Sequence, residues 1–218
     1  YTPLIGYGRS NSFKKQEWYV GGLLQQMNLF GVGGYRHKLP FSYQKEFENG
    51  KKFSVNPSID YGFFNKDFKG SFGGSFTYNP MNFSKVFFEV GDAYNRIAGA
   101  QNITSAFFPT NMVRNQKVEI GFRRELINGL YGQLKLEYSD RRTIENIKYP
   151  AFYDTLLTVL PKPPVFERYK IFMPTLDLEY HFRQKYIVRK GQKIVMGSPY
   201  PTLFLKYKRG IPDILETT

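Results

Sequence analysis

The fold is decided by the stretch Val118–Tyr138, VEIGFRRELINGLYGQLKLEY, in which apolar and polar residues alternate in two runs. An alternation with a period of two is typical of β-strands that have one apolar face and one polar face. The apolar members of the two runs are Val118, Ile120, Phe122, Leu130, Leu134, Leu136 and Tyr138. The stretch therefore predicts a ribbon of two strands with one oily face and one charged, hydrated face.

The residues between the two runs predict the turn and the register of this ribbon. A two-residue loop at Asn128-Gly129 would place each apolar residue opposite a polar one, whereas a three-residue loop, Ile127-Asn128-Gly129, pairs the two apolar faces. Gly129 then stands where a left-handed backbone conformation is needed. The predicted cross-strand pairs are Phe122 with Leu134, Ile120 with Leu136, Val118 with Tyr138, Arg123 with Gln133, and Glu119 with Glu137.

The acidic pair on the charged face needs cations nearby, because like charges on opposite strands repel one another. We expect Lys135 to offset the charge of Glu119 and Lys117 to offset that of Glu137, since each lysine is the diagonal neighbour of that glutamate. The charged face is therefore expected to hold paired charges.

The same alternation predicts strands along most of the chain and no helix. Residues 53–63, 72–78, 86–90, 176–188 and 203–207 alternate, and a glycine-rich run begins near Phe30. Near Lys66-Asp67 an even-length loop would place Tyr61 opposite Phe72 and Ile59 opposite Gly74. We expect about eight strands in residues 30–218, a periplasmic lead-in segment in residues 1–29, and long loops near 92–115 and 139–172.

Composition limits the classes of protein to which the chain can belong. Its 218 residues contain no cysteine and two histidines, which removes disulfide frameworks and thiolate metal sites and leaves little for acid–base chemistry. No run approaches the ~18 apolar residues of a membrane helix, although strands that cross a membrane show only alternation. The net charge of +13 favours an anionic neighbour, such as a lipid phosphate surface, an anionic solute or nucleic acid.

Strand length and the placement of aromatic residues favour a transmembrane barrel over a soluble sheet. Several alternating runs reach roughly 9–11 residues, the length that a tilted strand needs to cross a bilayer, and soluble strands are usually shorter. Tyrosine and phenylalanine recur near the strand ends, as interfacial girdles do. From residue 80 onward short turns alternate with long loops, which is typical of outer-membrane barrels. We therefore predict an all-β fold, an antiparallel transmembrane β-barrel built as a meander, with these strands forming part of a larger barrel.

The two faces of the strands would meet different surroundings, because a membrane barrel turns its oily face to lipid and its polar face to a hydrated lumen. The residues predicted to face lipid are Val118, Ile120, Phe122, Leu134, Leu136, Leu176, Leu178, Leu203 and Leu205. The cations predicted to face the lumen, where they could select anions, are Arg123, Lys135, Arg183, Lys206 and Lys208. The simpler interpretation is that most of these cations pair with acidic residues inside the barrel.

Three segments resemble a family of Bacteroidota outer-membrane proteins: YTPLIGYGRSNSFKKQEWYVGGL (Tyr1–Leu23), GLYGQLKLEYSDRRTIENI (Gly129–Ile147) and KYIVRKGQKIVMGSPYPTLFLKYKRGIP (Lys185–Pro212). Members of that family have no assigned function and pair a carboxypeptidase-regulatory-like β-sandwich domain with a C-terminal barrel. That barrel is distantly similar to assembly barrels of the BamA/TamA type. The resemblance implies that this chain is the barrel part of a longer protein, and it brings no catalytic residues.

Candidate catalytic and ligand-binding motifs are weak. His37 and His181 have no partners at metal-ligand spacing in the sequence, so a hydrogen bond in the lumen is expected for His181. Ser12 and Lys15 match the S-x-x-K motif of some acyl enzymes, but they lie in a polar loop without a second serine or lysine element. The glycines at 31, 33 and 34 are followed by no helix pattern and are expected to let a strand bend. We therefore predict no enzyme activity, no cofactor and no metal.

The leading hypothesis is a non-enzymatic β-barrel protein of the bacterial outer membrane that works in outer-membrane biogenesis, protein assembly or transport. Its expected partners are outer-membrane lipid or lipopolysaccharide and other envelope proteins in a complex, with no nucleic acid. If the resemblance to assembly barrels extends to mechanism, an imperfectly closed seam near Gly31–Tyr35 or after Pro212 would offer strand edges to a client. Two alternatives stay open: a passive anion-permeable channel, and a soluble basic β protein that binds nucleic acid or polysaccharide.

Overall fold

One antiparallel sheet dominates the computed structural model, which describes residues 4–96, 112–144 and 165–211. In chain order the elements are β1 (Gly6–Asn11), β2 (Gln16–Gly21), α1 (Leu23–Gln26), β3 (Met27–Gly31), β4 (Gly34–Glu46), β5 (Lys52–Gly62), β6 (Asp67–Asn79), β7 (Ser84–Arg96), β8 (Met112–Ile127), β9 (Leu130–Arg142), β10 (Tyr169–His181), β11 (Lys185–Arg189), β12 (Gln192–Gly197) and β13 (Thr202–Lys208). Eleven of these strands form the large sheet, and β11 and β12 form a two-stranded sheet of their own.

Neighbours in the chain are neighbours in the large sheet. The strand order is β1-β2-β4-β5-β6-β7-β8-β9-β10-β13, and β3 pairs with β4 next to β2. The connection between β10 and β13 contains the β11–β12 hairpin. Within the described residues β1 and β13 end the strand order and do not pair with each other, so the sheet is not closed into a barrel.

The sheet confirms an all-β antiparallel fold with almost no helix, and it corrects the expected strand count. Eleven strands replace about eight, because residues 6–31, most of which the sequence predicts as a lead-in segment, contribute β1, β2 and β3 to the sheet. The segment of the predicted seam, Gly31–Tyr35, joins β3 to β4. β4 has strands on both of its sides, whereas β3 pairs only with β4 among the described residues, so a seam at β3 stays a prediction. The alternative seam after Pro212 lies outside the described residues.

Helix plays almost no part in the described fold. The helix α1 has four residues and interrupts the path from β2 to β3. Among the described residues, no helix combines the length and the apolar character that are needed to cross a membrane.

The β8–β9 hairpin has the register that the sequence predicts. The observed pairs are Phe122 with Leu134, Ile120 with Leu136, Val118 with Tyr138, Arg123 with Gln133, and Glu119 with Glu137. The turn differs in detail, because Ile127 pairs with Leu130 across Asn128-Gly129 and the register shifts between Glu125 and Ile127. Gly129 has a φ of +84°, the left-handed conformation expected for it. A bulge beside a short turn therefore replaces the predicted three-residue loop.

Gly129 is expected to tolerate alanine less well than Gly191 does. Both have a positive φ, +84° and +72°, which costs an L-residue about 1–2 kcal/mol. A Cβ at Gly129 would also collide with the backbone carbonyl of His181, whereas a Cβ at Gly191 would meet no described atom. Gly129→Ala should therefore lower the free energy of unfolding by clearly more than Gly191→Ala, as measured by urea unfolding. Equal losses would show that the turn can move away from His181.

The predicted register of the β5–β6 hairpin is wrong. The observed pairs are Tyr61 with Phe68 and Ile59 with Gly70, in place of Tyr61 with Phe72 and Ile59 with Gly74. The turn occupies residues 63–66, with Lys66 in the left-handed region at a φ of +52°, so β6 already begins at Asp67. A shift by an even number of residues keeps every side chain on its predicted face, so alternation alone does not detect it.

The strands beside the two long connections extend further than the alternation predicts. β7 continues to Arg96 and β8 begins at Met112, inside the loop expected at 92–115. β9 continues to Arg142 and β10 begins at Tyr169, inside the loop expected at 139–172. Charged residues at these strand ends break the apolar pattern although the backbone ladder continues. The remaining parts of both predicted loops, 97–111 and 145–164, lie outside the described residues.

Candidate functional site

The two faces of the large sheet differ in exposure as well as in polarity. In β8, Val118 and Ile120 are 54% and 59% exposed, whereas the side chain of Glu119 between them is 12% exposed. The sheet therefore has an exposed apolar face and a covered polar face. A soluble antiparallel sheet has the opposite arrangement, because its apolar face packs on the core and its polar face is solvated.

Burial across the described residues follows the same inversion. Four apolar residues and ten polar or charged residues are buried there. The apolar ones are Val32, Val113, Tyr131 and Met173, and the polar ones are Arg36, Lys69, Ser84, Asn115, Glu125, Ser139, Asp140, Thr175, Gln184 and Lys193. Buried charges cost free energy unless they are paired or hydrogen-bonded, so the covered polar face has to satisfy its own groups.

The nine residues predicted to face lipid lie together on the exposed apolar face. Seven of them, between 36% and 62% exposed, are Val118, Ile120, Leu134, Leu136, Leu176, Leu203 and Leu205. Phe122 and Leu178 are half-buried. Cross-strand pairing aligns the set in rows, so that Leu134 lies between Phe122 and Leu176, and Leu205 lies opposite Leu178. That these rows contact lipid stays a prediction.

Four of the five cations predicted to face a lumen lie on the covered polar face. The nearest charge partners are Glu179 for Arg123 at 2.9 Å, Glu119 for Lys135 at 3.8 Å, and Asp177 for Lys206 at 3.7 Å. The contact of Lys135 with Glu119 confirms the diagonal pair predicted from the hairpin register. Lys208 is exposed at the end of β13, opposite Thr175. Most of these cations are therefore paired within the face.

Arg183 does not lie on the sheet. Strand β10 ends at His181, and Arg183 has a φ of +49°, which turns the chain away from the ladder. The Arg183 guanidinium donates a hydrogen bond to the hydroxyl of Tyr200 at 3.0 Å. The alternation in the sequence continues past His181, but it belongs to the β11–β12 hairpin rather than to a longer β10.

An acidic row crosses β7, β8 and β9 on the covered polar face and is held between cations. Lys117 Nζ lies 3.0 Å from Glu89 and 3.7 Å from Glu119. The prediction that Lys117 offsets Glu137 is therefore wrong, and Glu137 pairs with Arg141 at 3.9 Å. The third strand explains the difference, since β7 brings Glu89 next to Lys117 and a two-strand ribbon does not contain it.

A network of ion pairs crosses the sheet at the end that carries the long connections. Its first part is centred on Arg36, whose side chain is 1% exposed and whose guanidinium lies 2.9 Å from Asp60 and 2.8 Å from Asp67. Tyr94 donates its hydroxyl to Asp67 at 2.8 Å. Lys69 lies 3.4 Å from Asp67 and links β6 to β7. Strands β4, β5, β6 and β7 are thus joined by side chains as well as by their ladders.

The second part of this network joins β7, β8, β9 and the residues before β10. Asp92 lies 2.6 Å from Arg114. Asp140 lies 2.6 Å from Arg168 and 2.7 Å from Arg142. The guanidinium groups of Arg168 and Arg142 both donate hydrogen bonds to the Asp140 carboxylate. Asp140 is therefore an anionic anchor for both arginines.

The charged network begins where the apolar rows end. The last apolar row is Val90, Val118, Tyr138 and Phe172. The next row toward the long connections is Asp92, Gln116, Asp140 and Lys170. Residues two positions apart in a strand point to the same side, so the apolar band is bounded by a polar row on its own side of the sheet.

At the opposite end, the β11–β12 hairpin is fastened to the sheet by a buried ion pair. Lys193 Nζ lies 2.6 Å and 2.5 Å from the two carboxylate oxygens of Glu125, and the two side chains are 6% and 4% exposed. Lys193 also donates to Asn128 at 2.9 Å. Gln184 donates to Glu125 at 3.0 Å and accepts a hydrogen bond from Tyr131 at 3.0 Å. The hairpin is thereby held against the β8–β9 turn.

A cavity of about 730 Å³ lies between this hairpin and the covered polar face. Its basic lining residues are Lys52, Lys85, Arg123, His181 and Lys193. Phe83, Phe87 and Ile194 supply an apolar part of the lining. None of the described residues that line it is an aspartate or a glutamate, so the cavity is suited to an anion rather than to a cation.

The weaker sequence candidates occupy ordinary structural positions. The hydrogen bond expected for His181 is present, because its ring lies 2.8 Å from Glu179 and 3.0 Å from Thr202. Ser12 and Lys15 are exposed in the turn between β1 and β2. In the described part of the chain, no group of three or more His, Cys, Asp or Glu residues could hold a metal ion.

Comparison with protein-family models gives a match over the whole length of this chain. The model described as the C-terminal domain of a family of unknown function (DUF5686) matches residues 1–218. The chain belongs to this family. The match agrees with the resemblance to a family without assigned function, while Bacteroidota membership, an N-terminal β-sandwich domain and likeness to assembly barrels stay predictions. No curated protein and no solved structure matches the chain significantly.

Two structural features of this DUF5686 domain are not predicted by the pattern of its sequence. One is the ion-pair network that runs from Arg36 to Arg168, and the other is the Glu125–Lys193 pair. The alternation places Glu125 of β8 and Asp60 of β5 on polar faces, which is the signal in the sequence for the two features. It does not indicate which distant residues cover those faces.

Proposed function

We propose that this DUF5686 domain is a non-enzymatic β-barrel protein of the bacterial outer membrane. Its exposed apolar face would meet lipid, and its covered polar face would line the interior. The observation that carries the proposal is the inverted burial, with four apolar but ten polar or charged residues buried among those described. A soluble domain gains roughly 25 cal/mol for each Å² of apolar surface that it buries, and leaving this apolar face in water would forgo that gain.

The limits of the apolar band support a bilayer as the medium. The alternate positions on the apolar face of β8 run from Val118 to Leu126, a path of about 26 Å at ~3.3 Å per residue. On strands tilted by about 35–45° this path spans a height of about 20 Å, which approaches the apolar band of about 25 Å that membrane barrels carry. Arg124 is exposed on this face near the short turns, where a long cationic side chain can reach the headgroup region. The charged row at Asp92 and Asp140 would mark the other headgroup region.

The open sheet suggests how such a barrel would act in biogenesis, protein assembly or transport. β1 and β13 end the strand order within the described residues. Closure would require further strands or pairing beyond these residues. A strand at a sheet edge can add a strand from a partner. In this proposal β1 and β13, together with the open edge of β3 near Gly31, are the places where a client strand or the rest of the barrel would pair.

A passive anion-permeable channel has less support. Arg123, Lys135 and Lys206 each lie within 4 Å of a carboxylate, as the distances of 2.9, 3.8 and 3.7 Å show. Paired cations create a weaker field for anions than isolated ones. An anion-selective conductance in planar bilayers that reverses its selectivity on charge reversal at Lys135 and Arg123 would favour the channel over assembly.

Quenching by brominated lipid is expected to tell the two faces apart. In a Trp18→Phe background, which removes the single tryptophan, Leu134→Trp and Gln133→Trp place an indole on opposite faces of β9. In vesicles of dibrominated phosphatidylcholine, the fluorescence of the Leu134→Trp variant should be quenched much more strongly than that of the Gln133→Trp variant. Equal quenching would contradict the proposal. So would a folded, monodisperse chain obtained without detergent, which would favour the soluble alternative.

A further inference from the structure

We propose that the cavity under the β11–β12 hairpin binds a phosphate monoester with an apolar body, and that its phosphate bridges Lys85 and Arg123. The residues involved lie on the covered polar face and on the hairpin. The proposal therefore does not depend on what the exposed apolar face meets.

The two cations are placed where an anion would relieve a repulsion. Lys85 and Arg123 are directly opposite each other in the β7–β8 ladder, and like charges in such a pair are unfavourable. Arg123 is compensated by Glu179 at 2.9 Å. Lys85 forms no ion pair with a described residue, and its ammonium lies 5.9 Å from the ring centre of Phe87. A dianionic phosphate between the two side chains would supply the charge that Lys85 lacks.

The neighbouring strands extend this cationic row. Thr77 stands opposite Lys85 in the β6–β7 ladder and opposite Lys52 in the β5–β6 ladder. Adjacent strands are about 4.8 Å apart, so the Thr77 hydroxyl and the Lys85 ammonium can reach the same phosphate. Lys52 is compensated by Glu46 at 3.2 Å. A guanidinium, an ammonium and a hydroxyl thus converge on one side of the cavity, a donor set that suits phosphate oxygens.

The other walls suit an apolar body. Phe83, in the turn before β7, and Phe87, in β7, line one side of the cavity, and Ile194 and Val195 line it from the hairpin. The volume of about 730 Å³ falls in the range of roughly 300–1,000 Å³ that is usual for small-molecule sites. The hairpin is already held by the Lys193–Glu125 pair, so binding would need little further ordering.

Calorimetric titration of the full chain with phenyl phosphate, in a detergent that keeps it folded, tests the assignment. We expect saturable binding that weakens with added salt. Inorganic phosphate, which lacks the ring, and phenol, which lacks the charge, should each bind more weakly than phenyl phosphate. Benzoate provides the carboxylate comparison. Benzoate that binds as tightly as phenyl phosphate would overturn the choice of a phosphate ligand.

Variants locate the binding to the cavity. Lys85→Gln is expected to weaken phenyl phosphate binding by about tenfold or more, whereas Lys85→Arg, which keeps the charge, should retain most of it. Lys135→Gln is the matched control, because Lys135 lies on the same face but does not line the cavity. Thr77→Val, which removes a donor of the same row, provides a second variant if Lys85→Gln fails to fold.

Two outcomes would contradict the proposed phosphate site. One is a folded wild-type chain without saturable binding of phenyl phosphate, and the other is equal weakening by Lys85→Gln and Lys135→Gln. Lipid quenching of the Leu134→Trp variant reports the proposed membrane orientation separately. A negative titration together with strong quenching would reject the phosphate site and leave the membrane proposal standing.

Discussion

Replacing Ile120 with arginine is expected to cost about 1–3 kcal/mol of folding free energy in a bilayer, because Ile120 lies between the midplane, where arginine costs about 2–4 kcal/mol, and the interface, where it costs about 0–1 kcal/mol. Ile120 is 59% exposed on the apolar face and has Phe88 and Leu136 as cross-strand neighbours. In water, a change at so exposed a position would alter stability by no more than about 0.5 kcal/mol. The large expected loss therefore comes from placing a charged side chain in hydrocarbon rather than from lost packing.

Ile127→Arg provides the matched control for this substitution. Ile127 is 64% exposed and belongs to the same strand, but it stands beside the β8–β9 turn. An arginine near the edge of the apolar band is expected to cost about 0–1 kcal/mol. Both variants are measured by reversible urea unfolding from phosphatidylcholine vesicles. Losses below about 0.5 kcal/mol at both positions would show that the exposed face meets water, and the outer-membrane proposal would fall.

The β8–β9 hairpin shows how much of this fold the sequence can predict. Its strands are close in the chain, and one register pairs both apolar faces while placing Gly129 in the turn. The β5–β6 hairpin shows the limit, because registers that differ by an even number of residues satisfy the alternation equally well. There the turn at 63–66 and the ion pairs of Arg36 with Asp60 and Asp67 accompany the observed register. Alternation predicts the face of a residue but not its partner.

The candidate cavity was not predictable for the same physical reason. Its wall depends on contacts between residues that are far apart in the chain, such as Lys193 and Glu125 at a separation of 68 residues. Arg183 was misplaced because the alternation past His181 looks like a continued strand, whereas the chain leaves the sheet there and forms a separate hairpin. Arg123 sits on the predicted polar face, but only the ladder of β7 and β8 brings Lys85 opposite it.

Removing the carboxylate of Glu125 is expected to detach the β11–β12 hairpin. Deleting one partner of a buried ion pair costs about 3–5 kcal/mol, because the other charge stays buried without compensation. The Lys193 ammonium is 6% exposed, and it belongs to a two-stranded hairpin, an element that is marginally stable by itself. Movement of the hairpin into water is therefore the less costly response. Glu125→Ala should speed tryptic cleavage at Arg189 and Lys190 by about 100-fold.

Separate variants isolate the ion pair from the other contacts of Glu125. Glu125 also accepts a hydrogen bond from the backbone N–H of Gly129 at 2.9 Å, so Glu125→Ala alone weakens the turn as well. Lys193→Met removes the other partner and leaves that bond in place. If the pair holds the hairpin, the double variant Glu125→Gln/Lys193→Gln should favour opening of the hairpin, as measured by tryptic cleavage, by less free energy than the two single variants added together. The reason is that the second substitution removes a charge that the first has already left unpaired.

The control for hairpin release is an exposed pair of the same chemistry. Asp177→Ala breaks the contact with Lys206, whose side chain is 63% exposed, and the loss is expected to stay within about 1 kcal/mol. If Asp177→Ala speeds cleavage as much as Glu125→Ala does, the assay reports general loosening of the sheet. If Glu125→Ala leaves cleavage unchanged, the hairpin is held by its apolar and backbone contacts. The wall of the phosphate cavity would then be independent of the buried pair, because Ile194 and Val195 would keep their places without it.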